Sequence, residues 1–323
     1  MIQLSSSLLK AVEHAGKYFN CWKYELSGYL NGRGLPVDYL FYNALESSDQ
    51  VLAQIMQQKK NRWIYDTSCL RDEAQLHLIG VSLVRKQFET FEQLAALVPK
   101  VTDNSSSILL LLDSFYVPHK EHYQTAHTPH SYVITSYQYD DILQDTVYNL
   151  VDIVIDDYGD FPYAASDLKQ MYECSLPTNR AVAYFDIGQD SRIQKEQILD
   201  AYSSHLRQHT DSCALHDQVI SGFDSFDWFT DHQERLYHLD MAYTFLAGSR
   251  YLYARFLKIM GFQAAGEAYY EAGEQAESLS NMYRRYGLID EVDSEELVEE
   301  CKRMKELDQE ALFAARQQAF ISG

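Results

Sequence analysis

Cysteine is sparse in this 323-residue chain: Cys21, Cys69, Cys174, Cys213 and Cys301 are all there are. An odd, scattered set without CxxC spacing fits neither a disulfide framework nor a zinc site, so a reduced compartment is expected. Positive charge is also short. Lys and Arg total 27 against 47 Asp and Glu, a net charge of −20, which argues against nucleic acid, where clustered Lys and Arg are needed. No apolar run approaches the roughly 18 residues of a membrane span; Ile108 to Leu112 is only strand-sized. Met1 to Gly16 lacks a charged start followed by a long apolar stretch, so no signal peptide is expected. GxGxxG, Walker and GxSxG motifs are missing. These absences point to a cytoplasmic protein without membrane contact, cofactor or metal.

What is present is a globular composition, 46% apolar, with 25 tyrosines against 15 phenylalanines and 3 tryptophans. Phenols in such number suit the edges of a large core, each hydroxyl reaching water or a partner. Residues 5–15 read as a helical lead-in. Trp22, Leu26, Tyr29 and Leu30 then fall at i, i+4, i+7 and i+8, which predicts a helix from about Cys21 with Asn20 as its cap. Asn31 to Pro36 breaks it, and Val37 to Gln57 reads as a further helical pair. From His77 the texture is β-rich, with strands expected at 77–84, 107–112, 131–137, 147–155 and 180–187, and a short helix at 91–97. Residues 115–128 read as a polar loop. Beyond 190 the periodicity is helical almost throughout, ending in the stripe Leu297, Cys301, Met304, Leu307 and Ala311. The expected architecture is α+β, with a domain 1–188 carrying the chemistry and a mainly helical domain 189–323.

Cys21 sits where a helix starts, and unpaired N–H groups and the helix dipole there favour a thiolate. A thiolate nucleophile needs a base and a group that orients the base. His130, in Pro129-His130-Ser131-Tyr132-Val133, heads a strand. Asp156 and Asp157 end the next one, and in adjacent antiparallel strands the start of one lies near the end of the other. Successive strand residues point to opposite faces, so one of the two acids faces His130. Cys, His and Asp in this order, with the Cys on an early helix, resembles the arrangement of papain-like cysteine peptidases. That resemblance favours Asp156, because papain-like enzymes place the orienting residue just before an aromatic-Gly pair, here Tyr158-Gly159. The side-chain amide that those enzymes place upstream of the nucleophile has no counterpart between Gln3 and Cys21 except Asn20.

Other clusters read as polar surface. His119-x2-His122 and His127-x2-His130 lack a cysteine or acidic partner at zinc spacing. Glu267, Glu271, Glu274 and Glu277 lack the Glu-x-x-His partners of a di-metal bundle.

Asn20-Cys21-Trp22, the His130 segment, Ile153-Val154-Ile155-Asp156-Asp157, and the C-terminal stretch Phe245-Leu246-Ala247-Gly248-Ser249-Arg250-Tyr251-Leu252-Tyr253-Ala254-Arg255-Phe256-Leu257 together resemble the butirosin biosynthesis protein H family. The resemblance implies a cysteine-peptidase-like N-terminal domain and a helical C-terminal region. It also implies acyl transfer from an acyl or peptidyl carrier protein thioester, or from CoA, through the cysteine to a small-molecule amine, in nonribosomal-peptide or aminoglycoside-type antibiotic biosynthesis. A hydrolase on the same triad and a non-catalytic binding member of the fold are the competing readings, and a homodimer is compatible with all three. The acidic balance suits a cationic amine, with Asp140, Asp141, Asp157 and Asp160 as the nearby carboxylates.

Overall fold

The computed structural model describes residues 8–104, 106–154, 157–187, 192–222, 225–289 and 292–321. It forms two compact units: Met1–Glu13, Cys21–Val37 and Glu73–Ile193 make the first, and His14–Asn20, Asp38–Asp72 and Gln194–Gly323 the second.

The first unit is built on a six-stranded antiparallel sheet, ordered β1-β6-β2-β3-β4-β5. Its strands are β1 Val81–Gln87, β2 Ile108–Asp113, β3 Pro129–Asp140, β4 Asp145–Val154, β5 Asp157–Ala164 and β6 Ala181–Ile187. The run Ile108 to Leu112 is continuously apolar because it lies mid-sheet with both faces covered. On one face Leu110, Leu112, Tyr132, Ile134, Tyr148 and Leu150 meet helices Phe91–Thr102 and Ala165–Cys174 in a single apolar core. Phe185 points the other way from its neighbour Tyr184, which packs on that core. It stacks on Tyr29 of helix Cys21–Gly32, ring centroids 4.4 Å apart.

Several sequence expectations shift here. Strands β3 and β4 run on until only residues 141–144 separate them. The turn is held by Asp140 Oδ1, which accepts the N–H groups of Ile142 and Leu143 at 2.8 and 3.0 Å. Strand β5 and helix Ala165–Cys174 were not anticipated. Tyr158-Gly159 and Pro162 disguise β5, but it is an edge strand, the place in a sheet where proline is tolerated. Residues 9–14 form no helix, and Val37–Gln57 folds as 3-10, α and π segments of four to seven residues each.

The second unit is helical. Helices Lys195–Gln208, Ala214–Ile220, His232–Ile259, Gln263–Ile289 and Ser294–Ile321 account for most of it. Its centre is polar: Arg250, 1% exposed, donates to both Asp308 oxygens at 2.8 Å and to the Glu46 carbonyl at 2.6 Å. His216 reaches Asp308 at 3.2 Å and Tyr243 at 3.1 Å. Gly248 lets the chain at Tyr18 lie against the helix, since a Cβ there would stand 2.8 Å from the Tyr18 nitrogen. These contacts explain the Phe245–Tyr253 segment as a packing motif. Nor is the glutamate row merely solvated, because Glu277 accepts from Tyr251 at 2.9 Å and pairs with Lys17. Among the described residues no helix is long and apolar enough to cross a membrane.

Candidate active site

Cys21 is the first residue of its helix, where the backbone N–H groups have no partner further back in the helix. The helix is docked closely on β5. Tyr158 donates its hydroxyl to the Tyr24 carbonyl at 3.2 Å, and a Cβ at Gly28 would come within 1.9 Å of that hydroxyl oxygen. His130 lies in β3 opposite Leu112, and Asp152 in β4 opposite Gly159. The pairing of Val133 with Val151 puts Asp152 across from Tyr132. His130, two residues from Tyr132, therefore shares a face with Asp152 and neighbours it diagonally.

The side chains complete a relay. His130 Nε2–H donates to Asp152 Oδ1 at 2.7 Å, and its ring also bonds the Cys21 thiol. Asp152 is fully buried and takes further donors: His119 Nε2 at 2.7 Å, Lys120 Nζ at 2.9 Å and the Ile153 N–H at 2.6 Å. With Nε2–H committed to the carboxylate, His119 Nδ1 is left to accept from the Tyr163 hydroxyl, 2.7 Å away. Its ring stacks on Phe161, centroids 3.7 Å apart.

Charge follows this geometry. Burial alone would push the Cys21 thiol up, but the His130 hydrogen bond and charge, with the Ser131 hydroxyl and N–H, bring it down to about 7. Burial would likewise depress His130, yet Asp152 and the thiolate hold it at about 10. Asp152 overcomes its burial because His119, His130 and Lys120 keep it well below the usual carboxylate range. Between about pH 7 and 10 the resting pair is therefore thiolate and imidazolium.

One turn after Cys21 stands Glu25, fully buried, with neither carboxyl oxygen in a hydrogen bond of normal geometry. Burial pushes it well above the carboxylate range, with the His130 charge opposing and Asp152 and Cys21 adding to the rise. Glu25, His130 and Asp152 each offer a ligand atom within 4.8 Å of the others. Two of the three are already joined as donor and acceptor, so the arrangement is that of a hydrogen-bonded dyad beside a buried acid whose proton affinity is raised.

Cys21 and His130 are thus brought together. Asp156 lies outside the described residues. Asp157 is exposed at the start of β5, in register with Val154. Asp160 accepts from Asn149 at 2.6 Å, and Asp140 is spent on its turn. Of the loop histidines, His119 joins the site, His127 bonds Asp113 at 2.7 Å, and His122 lies 3.7 Å from Glu121. Sequence reasoning missed Asp152, although a lone acid inside Leu150-Val151-Asp152-Ile153-Val154 was a usable signal: a charge in a buried strand needs partners. Glu25 gave the same signal on the apolar side of its helix.

No family model matches the chain. A curated protein of Niallia circulans is 25% identical over 244 residues, covering 75% of this chain and 76% of that protein. It is described as the transferase of 4-(gamma-L-glutamylamino)-(S)-2-hydroxybutanoate between ribostamycin and the BtrI acyl-carrier protein. The resemblance to the butirosin biosynthesis protein H family, read from short segments around Cys21, His130 and Ile153, is borne out over three quarters of the chain.

Proposed function

We propose that this protein is a cysteine-dependent acyltransferase of antibiotic biosynthesis, moving an acyl group from a carrier-protein thioester to an amine. The observation that carries the chemistry is the Cys21 thiol, drawn down to about 7 by His130, which Asp152 orients. The similarity to a transferase named for an acyl-carrier protein and an aminoglycoside supplies the substrate classes. In this reading the first unit is a papain-like catalytic domain, with Asp152 orienting His130.

The Cys21 thiolate attacks the thioester carbonyl, forming a new C–S bond, and the charge passes to oxygen. The first-turn N–H groups at Cys21 are the donors this reading assigns to that oxyanion. Collapse expels the carrier thiol, which takes the His130 proton, and leaves an acyl-enzyme. Neutral His130 then accepts the proton of the incoming amine, the amide forms, and the cysteine leaves as thiolate. Asp152 holds the ring in the required tautomer throughout.

Intact mass spectrometry tests this. Incubation with acyl-carrier thioesters should add one acyl mass to the wild-type protein and none to Cys21→Ala. An added amine should remove that mass as an amide. An adduct surviving in Cys21→Ala would overturn the assignment, and release only as free acid would favour a hydrolase.

A further inference from the structure

Beside the relay, on the side of helix Ala165–Cys174, is a cavity of about 330 Å³. Phe115, Tyr116, Tyr123 and Tyr163 supply four aromatic rings, and Asp167 is the one carboxylate in its lining; neither Lys nor Arg lines it. Tyr163 belongs to both places. Its ring faces the cavity, with Tyr123 and Asp167 in charge range of its phenol, while its hydroxyl donates to His119, which donates to Asp152.

We propose that this cavity binds an organic ammonium group, and that occupation is felt at His130 through Tyr163, His119 and Asp152. Ring faces attract a cation through their quadrupole, most strongly where water is thinned out, and Asp167 supplies the formal counter-charge. The volume falls in the range of small-ligand sites. The lining also disfavours the competing class: an anion would meet the Asp167 carboxylate and find no basic side chain in the lining to hold it. A cation held beside Tyr163 makes its phenol a stronger donor to His119. It also adds positive charge near His130, which lowers that ring's proton affinity.

The test needs no acyl transfer, so it stands or falls apart from the proposed activity. Calorimetry on the full chain would use spermidine and 2-deoxystreptamine as cationic probes, with myo-inositol as a neutral ring. Binding by spermidine alone identifies a linear polyamine as the ligand, and binding by the aminocyclitol an amino sugar. Asp167→Asn and Tyr123→Ala, both at exposed positions, should each weaken binding roughly tenfold. In nitrogen-15-labelled histidine spectra the probe should shift the His119 and His130 resonances and lower the His130 titration midpoint. Tyr163→Phe should keep most of the affinity and lose the His130 response. No cation binding, equal binding of inositol, or affinity unchanged in both cavity variants would overturn the site. A bound probe that leaves His130 unmoved would overturn the coupling.

Discussion

At the scale of single residues, the thiol and the acid one turn behind it make opposite use of burial. The Cys21 thiol is drawn down because its neighbours outweigh desolvation, whereas at Glu25 burial outweighs the opposing His130 charge and Ser131 hydroxyl. Alkylation of Cys21 by iodoacetamide should therefore rise with a midpoint near pH 7, against about 8.5 for an ordinary cysteine. His130→Ala should move the midpoint upward. Transfer should follow the same rise and then fall near pH 10, as His130 loses the proton needed by the leaving thiol. Asp152→Asn should lower the rate by about 10²–10⁴-fold, since an amide cannot hold the imidazolium and its tautomer as a carboxylate does. A midpoint unchanged in His130→Ala would detach the histidine from the thiol. Glu25 acts on stability. Its folded-state proton affinity is raised, so its contribution is fully present below the unfolded value of about 4.3 and falls as pH rises towards the folded value. Glu25→Gln keeps the shape without the charge. It should leave stability unchanged near pH 4 and raise it at pH 7, read from urea melts at the two pH values.

At the scale of elements, the placement of Cys21 depends on how closely its helix approaches β5. Alanine is the better helix former by about 1 kcal/mol, so propensity alone would make Gly28→Ala stabilising. The Tyr158 hydroxyl, 1.9 Å from the added Cβ, reverses the sign: the helix must lift from the sheet, at a cost of about 1–3 kcal/mol. Thermal melts should show the loss, alkylation of Cys21 should slow, and Tyr158→Phe should restore part of both. In the helical unit, Arg250→Ala would strand the Asp308 carboxylate in the interior and should cost about 3–5 kcal/mol by denaturant titration. The sequence made the central strands and long helices legible because β2 and His232–Ile259 carry one uninterrupted apolar pattern each. Cys21 and His130 were legible because their position at the head of an element is a chemical signal in itself. Strand β5 was not, since Gly159 and Pro162 read as a loop until the edge position explains them. Asp152 was passed over for a plainer reason: turn-end acids are easier to notice than one set inside a strand, though the buried Asp152 is held by three side-chain donors.

At the scale of the whole molecule, chain order misleads about grouping. His14–Asn20 and Asp38–Asp72 precede every strand of the sheet yet belong to the helical unit, and their polar ties, such as Glu46 to Arg250 and Ser249, span some two hundred residues that no local pattern reveals. Net charge, by contrast, is readable from composition and bears on the acceptor. With −20 on the chain, a cationic amine is drawn in by the summed field, while a neutral amine is not. Exposed charges are screened over about 10 Å at 0.1 M salt and about 3 Å at 1 M. Raising salt across that range should increase KM for a polyamine or amino-sugar acceptor several-fold and leave KM for a neutral, hydroxyl-rich amine analogue nearly constant. The acyl-enzyme step, measured separately by mass spectrometry, controls for salt effects on the carrier protein. Equal salt responses for both acceptors would mean that the charge serves only solubility. Free acid as the sole product at every salt concentration would mean that water, not an amine, is the acceptor.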